Sequence, residues 1–157
     1  MSYGLYRDEL AAAIHVYKFQ GIRRLYRPLG QLLSVFDLEG IHAVIPVPLS
    51  TRGLRNRGFN QSLLLAKTVS DASNIPLIID GLIKTADTPP QLGLSAIKRR
   101  TNLKGAFEAV KNFKGMRLLL VDDVMTTGAT VNECSIQLRK AGAEEVTVLT
   151  LARAGIL

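Results

Sequence analysis

A chain of 157 residues that is 47% hydrophobic and 21% charged has the length of one ordinary domain and enough apolar material to bury a core, which excludes a disordered polymer. Its formal charge of +7 points to an anionic partner, a phosphorylated metabolite or a nucleic acid. The single cysteine, Cys134, excludes an internal disulfide and a metal site built on several thiolates; with no membrane-length apolar run and no signal-peptide stretch in the first ten residues, a cytoplasmic protein without a membrane partner is expected.

In chain order, residues 7–19 read as a helix and 24–36 as a second, with Pro28 in its first turns, where proline is tolerated. Residues 42–47 form a short apolar strand entering a long polar loop, after which Asn60 can cap a helix to about residue 72. Two short strands are expected at 76–79 and 82–85, then a Pro-rich, basic stretch over 88–105 that makes a poor core element. Residues 116–121 read as a buried strand, 128–141 as a helix ending at Gly142, and 145–151 as the next strand. This alternation predicts an α/β fold with a mostly parallel central sheet flanked by helices. The last three elements predict a βαβ unit with parallel strands and a right-handed crossover. One domain over residues 1–157 is expected, with 1–40 as a small helical hood and 41–157 as the α/β core.

Cys134 shares a helical stripe with Val131, Leu138 and Ala141 and reads as a buried hydrophobe, not a nucleophile. His15 and His42 have no metal-like spacing and read as structural. Basic residues gather at 18–27, 52–57 and 98–104, and for each cluster a solvated face is the alternative to a binding role.

The chemistry is expected where Leu118-Leu119-Leu120-Val121 delivers Asp122 and Asp123 to a strand's carboxyl end, the place where open α/β sheets bind ligands. Val124-Met125-Thr126-Thr127-Gly128-Ala129-Thr130 then opens a helix. Its small and hydroxylated residues leave backbone N–H groups and hydroxyls free for a phosphate, helped by the positive end of the helix dipole. The acids suit a sugar diol, so the two halves together describe a site for ribose 5-phosphate. Taken singly, the acids could be an exposed strand end and the threonines ordinary caps; it is the combination that argues for a ligand.

Residues 118–130 resemble the thirteen-residue signature for 5-phosphoribosyl-1-pyrophosphate (PRPP) of the type I phosphoribosyltransferases at every defining position. Ile45-Pro46-Val47-Pro48-Leu49-Ser50, then Arg57-Gly58-Phe59-Asn60-Gln61, resemble the ComF branch of that superfamily. So do Gln91, Leu94, Arg100 and Asn102 before Gly105-Ala106-Phe107, and His15-Val16-Tyr17-Lys18-Phe19-Gln20-Gly21 near the start. The resemblance implies a type I phosphoribosyltransferase-like fold and a link to natural competence and DNA uptake. Many ComF-type proteins carry an N-terminal cysteine ribbon, and this chain begins where that ribbon would end, as a short natural form or a truncated one. Glutamine-dependent amidophosphoribosyltransferases use an N-terminal cysteine in a separate glutaminase domain, and nothing in these residues corresponds to it.

By the same resemblance, Val47, Pro48, Leu49, Ser50 and Thr51 form the pyrophosphate loop, with a plain Pro-rich turn as the alternative. Arg52, Arg55 and, foremost, Arg57 are candidates for the same anion. Residues 91–104 resemble a lid over PRPP, with Arg100 and Lys104 neutralising the departing pyrophosphate; the alternative is a solvated basic helix. The catalytic set is then Asp122, Asp123, Arg100 and Lys104. Mg2+ is expected with PRPP, held by phosphates and waters and touched only indirectly by Asp122 and Asp123.

Three functions follow from these expectations. The first is transfer of a phosphoribosyl group from PRPP to an amine or base, the acceptor lying under the hood, with inversion at C1 and release of pyrophosphate. The second is a nucleic-acid-binding module of DNA uptake that takes single-stranded DNA on its basic clusters, although few aromatics interleave with them. The third is a PRPP-sensing regulator. PRPP or a nucleoside 5′-monophosphate is the expected small-molecule partner, no residue stands out as a general base, and the oligomeric state, a homo-oligomer included, is left open.

Overall fold

The computed structural model describes residues 1–19, 22–85 and 103–155. Its main sheet has four parallel strands in the order β1-β6-β5-β2, where β1 is Ser2–Leu5, β2 Ala43–Pro46, β5 Arg117–Met125 and β6 Glu145–Arg153. Two short antiparallel strands, β3 (Leu82–Lys84) and β4 (Phe107–Ala109), form a separate pair. The helices are α1 (Asp8–Phe19), α2 (Tyr26–Leu33), α3 (Thr51–Arg57), α4 (Gln61–Ser73) and α5 (Ala129–Lys140), with a 3-10 turn over Arg23–Leu25.

The sheet is covered on both faces, which is why its central strands are apolar runs without alternation. Leu118, Leu119, Leu120 and Val121 are all fully buried, as are Ala43, Val44 and Ile45 on β2. Successive side chains of a strand point to opposite faces. Leu119 and Val121 accordingly join Ile14 and Tyr17 of α1, Leu33 of α2 and Leu65, Ala66 and Val69 of α4 in one core. Leu118 and Leu120 join Val131, Cys134 and Leu138 of α5, with Phe107 and Phe113, in the other. Gly30 lets α2 approach α4, since a Cβ there would stand 2.5 Å from the Cβ of Thr68.

Residues 1–40 hold α1 and α2, as expected of a helical region, and before them a strand that was not expected. Ser2–Leu5 is a strand paired in parallel with β6, and α1 and α2 pack directly on the sheet. The strand expected at 76–79 is a single bridge between Val44 and Leu77: Val44 exchanges two hydrogen bonds with Pro76 and Ile78, and Pro76 has no N–H with which to extend the ladder. The long polar loop expected after residue 47 contains α3, started by Ser50, whose Oγ accepts from the N–H of Gly53, and ended by Gly58 at φ 73°.

The strand lengths create the site. β2 stops at Pro46, opposite Val121, while β5 runs on through Asp122, Val124 and Met125 beside Thr150, Ala152 and Arg153 of β6. Past Val121, β5 therefore pairs on one side only among the described residues. After β2 the chain forms α3 and then α4, and α4 covers one face, while α5, which follows β5, covers the other. Connections that leave adjacent parallel strands to opposite faces open a crevice at the strands' carboxyl ends.

Candidate functional site

The acids are in the overhang. The strand expected to end at Val121 continues to Met125, so Asp122 and Asp123 are held by strand pairing and not by a loop. Asp122 Oδ1 accepts from Ser62 Oγ at 2.8 Å and from the N–H of Asp123 at 2.9 Å. Asp123 Oδ1 accepts from the N–H of Val124 at 2.6 Å and lies 2.7 Å from Lys18 Nζ. Among the described residues none donates a hydrogen bond to Oδ2 of either acid. Loss of hydration first, and the neighbouring Asp123 carboxylate second, push the Asp122 carboxyl well above its ordinary range, an effect that the hydroxyl of Ser62 and the charge of Lys18 oppose.

The residues after the strand form the second half of the site. Gly128, at φ 74°, is the N-cap of α5 and supplies no side-chain hydrogen bond to it. The Thr127 hydroxyl takes only a long contact, 3.4 Å, from the N–H of Ala129. Thr126 is exposed, while Thr127 and Thr130 are half-buried. A helix start without a side-chain cap leaves donors and a positive dipole end for an anion.

The remaining candidates divide. Val47 donates its N–H to the Val121 carbonyl and accepts from Asn60 Nδ2 at 3.1 Å, which fixes the start of the proposed pyrophosphate loop beside β5. Pro48, Leu49 and Ser50 are half-buried, and Thr51 is exposed at the first turn of α3. Arg52 and Arg55 are exposed. Arg57 is half-buried and donates from Nη1 to Gln61 Oε1 at 3.3 Å. Lys104 is exposed; Arg100, Gln91, Leu94 and Asn102 lie outside the described residues. Cys134 is a free, fully buried thiol whose pKa burial raises, in keeping with a core role. His42 Nδ1 accepts from the N–H of Arg117 at 3.1 Å.

Several residues bear on the site that the sequence alone did not place there. Lys18 reaches Asp123 from α1. Beside it Tyr17, fully buried, donates to the Gln61 carbonyl at 2.9 Å and packs on Phe59 with ring centroids 5.7 Å apart. Ser62 follows directly after the Asn60-Gln61 pair and reaches Asp122. Glu133, nearly buried on α5, accepts from the N–H of Gly105 at 3.0 Å and from Gln137 Nε2 at 2.9 Å, tying the chain that enters β4 to the helix. Lys18 was visible in the sequence as part of the stretch 15–21 and of a basic cluster, with nothing to tie it to the acids, and the only signal for Ser62 is adjacency to Asn60 and Gln61.

A parallel sheet with helices on both faces, a two-acid strand end and an open helix start directly after it define the phosphoribosyltransferase class. The phosphoribosyl transferase domain family matches residues 59–156. The chain is 43% identical to competence protein F of Haemophilus influenzae over 96% of its own length and 71% of that protein. It is 36% identical to the DNA utilization protein YhgH of Escherichia coli O157:H7 over 94% of its length and 69% of the relative. Among solved structures it is similar to the glutamine PRPP amidotransferase of B. subtilis complexed with ADP and GMP, with a TM-score of 0.56 and 28% identity, over 80% of this chain and 25% of that one. The chain belongs to the ComF family of phosphoribosyltransferase-type proteins.

Proposed function

We propose that this chain binds PRPP with magnesium and transfers its phosphoribosyl group to the nitrogen of an amine or base, releasing pyrophosphate. The observation that supports this reading is the uncapped start of α5 immediately after an acid pair on a strand overhang. The 5′-phosphate would lie on the N–H groups and hydroxyls of residues 126–130, and the ribose diol on Asp122 and Asp123. The pyrophosphate would face residues 47–51 and Arg57, with Arg100 and Lys104 as further cations. Bond breaking at C1 gives an oxocarbenium-like sugar, and the two acids are placed to steady that positive charge. The C1–O bond to pyrophosphate breaks as the acceptor nitrogen bonds to the opposite face, and the acceptor's proton passes to water.

The residues fit a metal carried by substrate. The described residues contain no group of three or more His, Cys, Asp or Glu side chains that could cage an ion, whereas two carboxylates whose Oδ2 atoms accept no hydrogen bond from the described residues can complete a shell made mostly of phosphate oxygens and water. Bound there, magnesium would withdraw charge from the leaving pyrophosphate.

Calorimetry with PRPP and Mg2+, followed by pyrophosphate release in the presence of candidate amines and bases, tests the reading. Binding with release supports the transferase. Binding without release against any acceptor supports the PRPP-sensing regulator, and no binding contradicts both.

A second reading, binding of single-stranded DNA, is favoured by the relatives' names and by one surface feature. A depression of about 860 Å³ is lined by Lys111, Lys114 and Lys140 with Asn112 and Glu108. It lies where the chain enters β5 and leaves α5, the opposite end of the sheet from the acids. DNA held there would bind with steep salt dependence, a log-log slope of about −0.7 per phosphate neutralised, and PRPP would not displace it. Displacement by PRPP in fluorescence anisotropy would place the DNA on the Arg57 side instead. No helix of the described residues is long and apolar enough to cross a membrane, and a cytoplasmic role is part of the proposal.

A further inference from the structure

Helix α1 brings an ammonium, that of Lys18, to the acid pair. The Lys18–Asp123 contact of 2.7 Å joins side chains that are 17% and 8% exposed. The other ion pairs among the described residues join side chains 41–72% exposed. Exposed pairs contribute little and exchange freely with water, whereas a pair drawn out of solvent holds its geometry. The neighbouring residue fixes this one: Tyr17 is fully buried, bonded to the Gln61 carbonyl and packed on Phe59. The ammonium is thus carried on an anchored turn of helix.

The acid pair that meets an incoming ion is consequently not two bare carboxylates. One already has a cation against its Oδ1, which also takes the Val124 N–H, and the other has its Oδ1 occupied by Ser62 and the Asp123 N–H. A bare divalent ion would have to dehydrate and then sit close to the ammonium in a partly desolvated site, where like charges repel more strongly than in water. A metal already bound to pyrophosphate arrives inside an anion, and the same ammonium attracts it.

We propose, resting on the phosphoribosyl reading above, that Lys18 is a specificity-determining residue: a resident cation that keeps bare divalent metal off Asp122 and Asp123 and admits metal only as its PRPP complex. Metal-free nucleoside 5′-monophosphates would bind with Lys18 left in place.

The test uses the full chain and Mn2+ as the probe, followed by the loss of the free-ion paramagnetic resonance signal and by calorimetry. Without PRPP, wild type is expected to bind Mn2+ only weakly. Lys18→Met should bind it at least tenfold more tightly, Lys18→Arg should match wild type, and Lys18→Met with Asp123→Asn should return to weak binding. A folded Lys18→Met, checked by circular dichroism and melting, that binds Mn2+ no more tightly than wild type overturns the proposal, as does a gain of equal size in Lys18→Arg. Should the methionine variant not fold, Lys18→Gln takes its place. Wild type that binds Mn2+ alone as tightly as it does with PRPP overturns the proposal without any variant. A parallel titration of wild type with PRPP and Mg2+ separates the two failures: no PRPP binding brings down the phosphoribosyl reading itself, whereas PRPP binding with no difference between wild type and Lys18→Met brings down only the role of Lys18.

Discussion

Two helices begin near the carboxyl end of the same sheet, and they begin differently. At α4, Asn60 Oδ1 accepts from the N–H groups of Ser62 and Leu63 at 3.0 and 3.3 Å, while its Nδ2 donates to the Val47 carbonyl. That start is closed by its own side chain. At α5 the cap is Gly128, which has no side chain to offer, and the nearest hydroxyl makes only a 3.4 Å contact. A protein selected for stability alone would be expected to cap both, since a side-chain cap contributes about 1 kcal/mol. The difference separates a helix start that serves the fold from one left open for a ligand, and the acids stand directly before the open one.

The largest expected effect comes from removing the acids. Asp122→Asn with Asp123→Asn should abolish any PRPP-dependent pyrophosphate release while circular dichroism still reports a folded chain. Undiminished release from the folded double variant contradicts the role assigned to the overhang. Next in size are the hydroxyls of the open start. Thr127→Ala and Thr130→Ala should each weaken PRPP binding by about 1–3 kcal/mol, the range for losing a hydrogen bond to a charged group, with melting temperature nearly unchanged. Equal losses of stability and of binding would mean that these threonines are ordinary caps.

The closed start should behave in the opposite way. Asn60→Ala should cost about 1 kcal/mol of folding stability, measured by denaturant unfolding, with a smaller effect on PRPP affinity in the folded chain. A variant that melts like wild type but loses ligand would move Asn60 from the fold to the site.

The smallest effect is a dependence on pH. Burial first, and the Asp123 carboxylate second, push the Asp122 carboxyl up from 3.8 to about 7 in the folded chain, so between these values the folded state binds more protons than the unfolded one. Folding stability should then fall as pH rises through that window. The melting temperature of wild type should drop between pH 5 and 8 by more than that of Asp122→Asn, and parallel slopes would contradict the shift.

Much of this was legible in the sequence, for a definite reason. Leu118 to Val121 read as a buried strand because a parallel strand covered on both faces must be apolar without interruption, and the fully buried residues found there obey that rule. The helix from residue 128 read correctly from the stripe of Val131, Cys134 and Leu138, which are buried against the sheet. α3 was not legible: Thr51–Arg57 buries none of its residues, so it has no apolar stripe and is set by its Ser50 and Gly58 ends. β1 was missed because a four-residue edge strand shows too little periodicity, and Tyr3 and Leu5 remain 44% and 39% exposed. At the site, the acids and the threonine loop could be read because they are contiguous. Lys18 and Ser62 could not, because their partners Asp123 and Asp122 lie far along the chain and only the fold brings them together.

The central claim is that the open start of α5 takes the 5′-phosphate while the acid pair takes the ribose. A crystal structure of the full chain soaked with PRPP and Mg2+ tests it most directly. The account predicts phosphate density within hydrogen-bonding distance of the backbone N–H groups and hydroxyls of residues 126–130, with the ribose hydroxyls on Asp122 and Asp123. Phosphate density on another surface, with that loop empty, would contradict it.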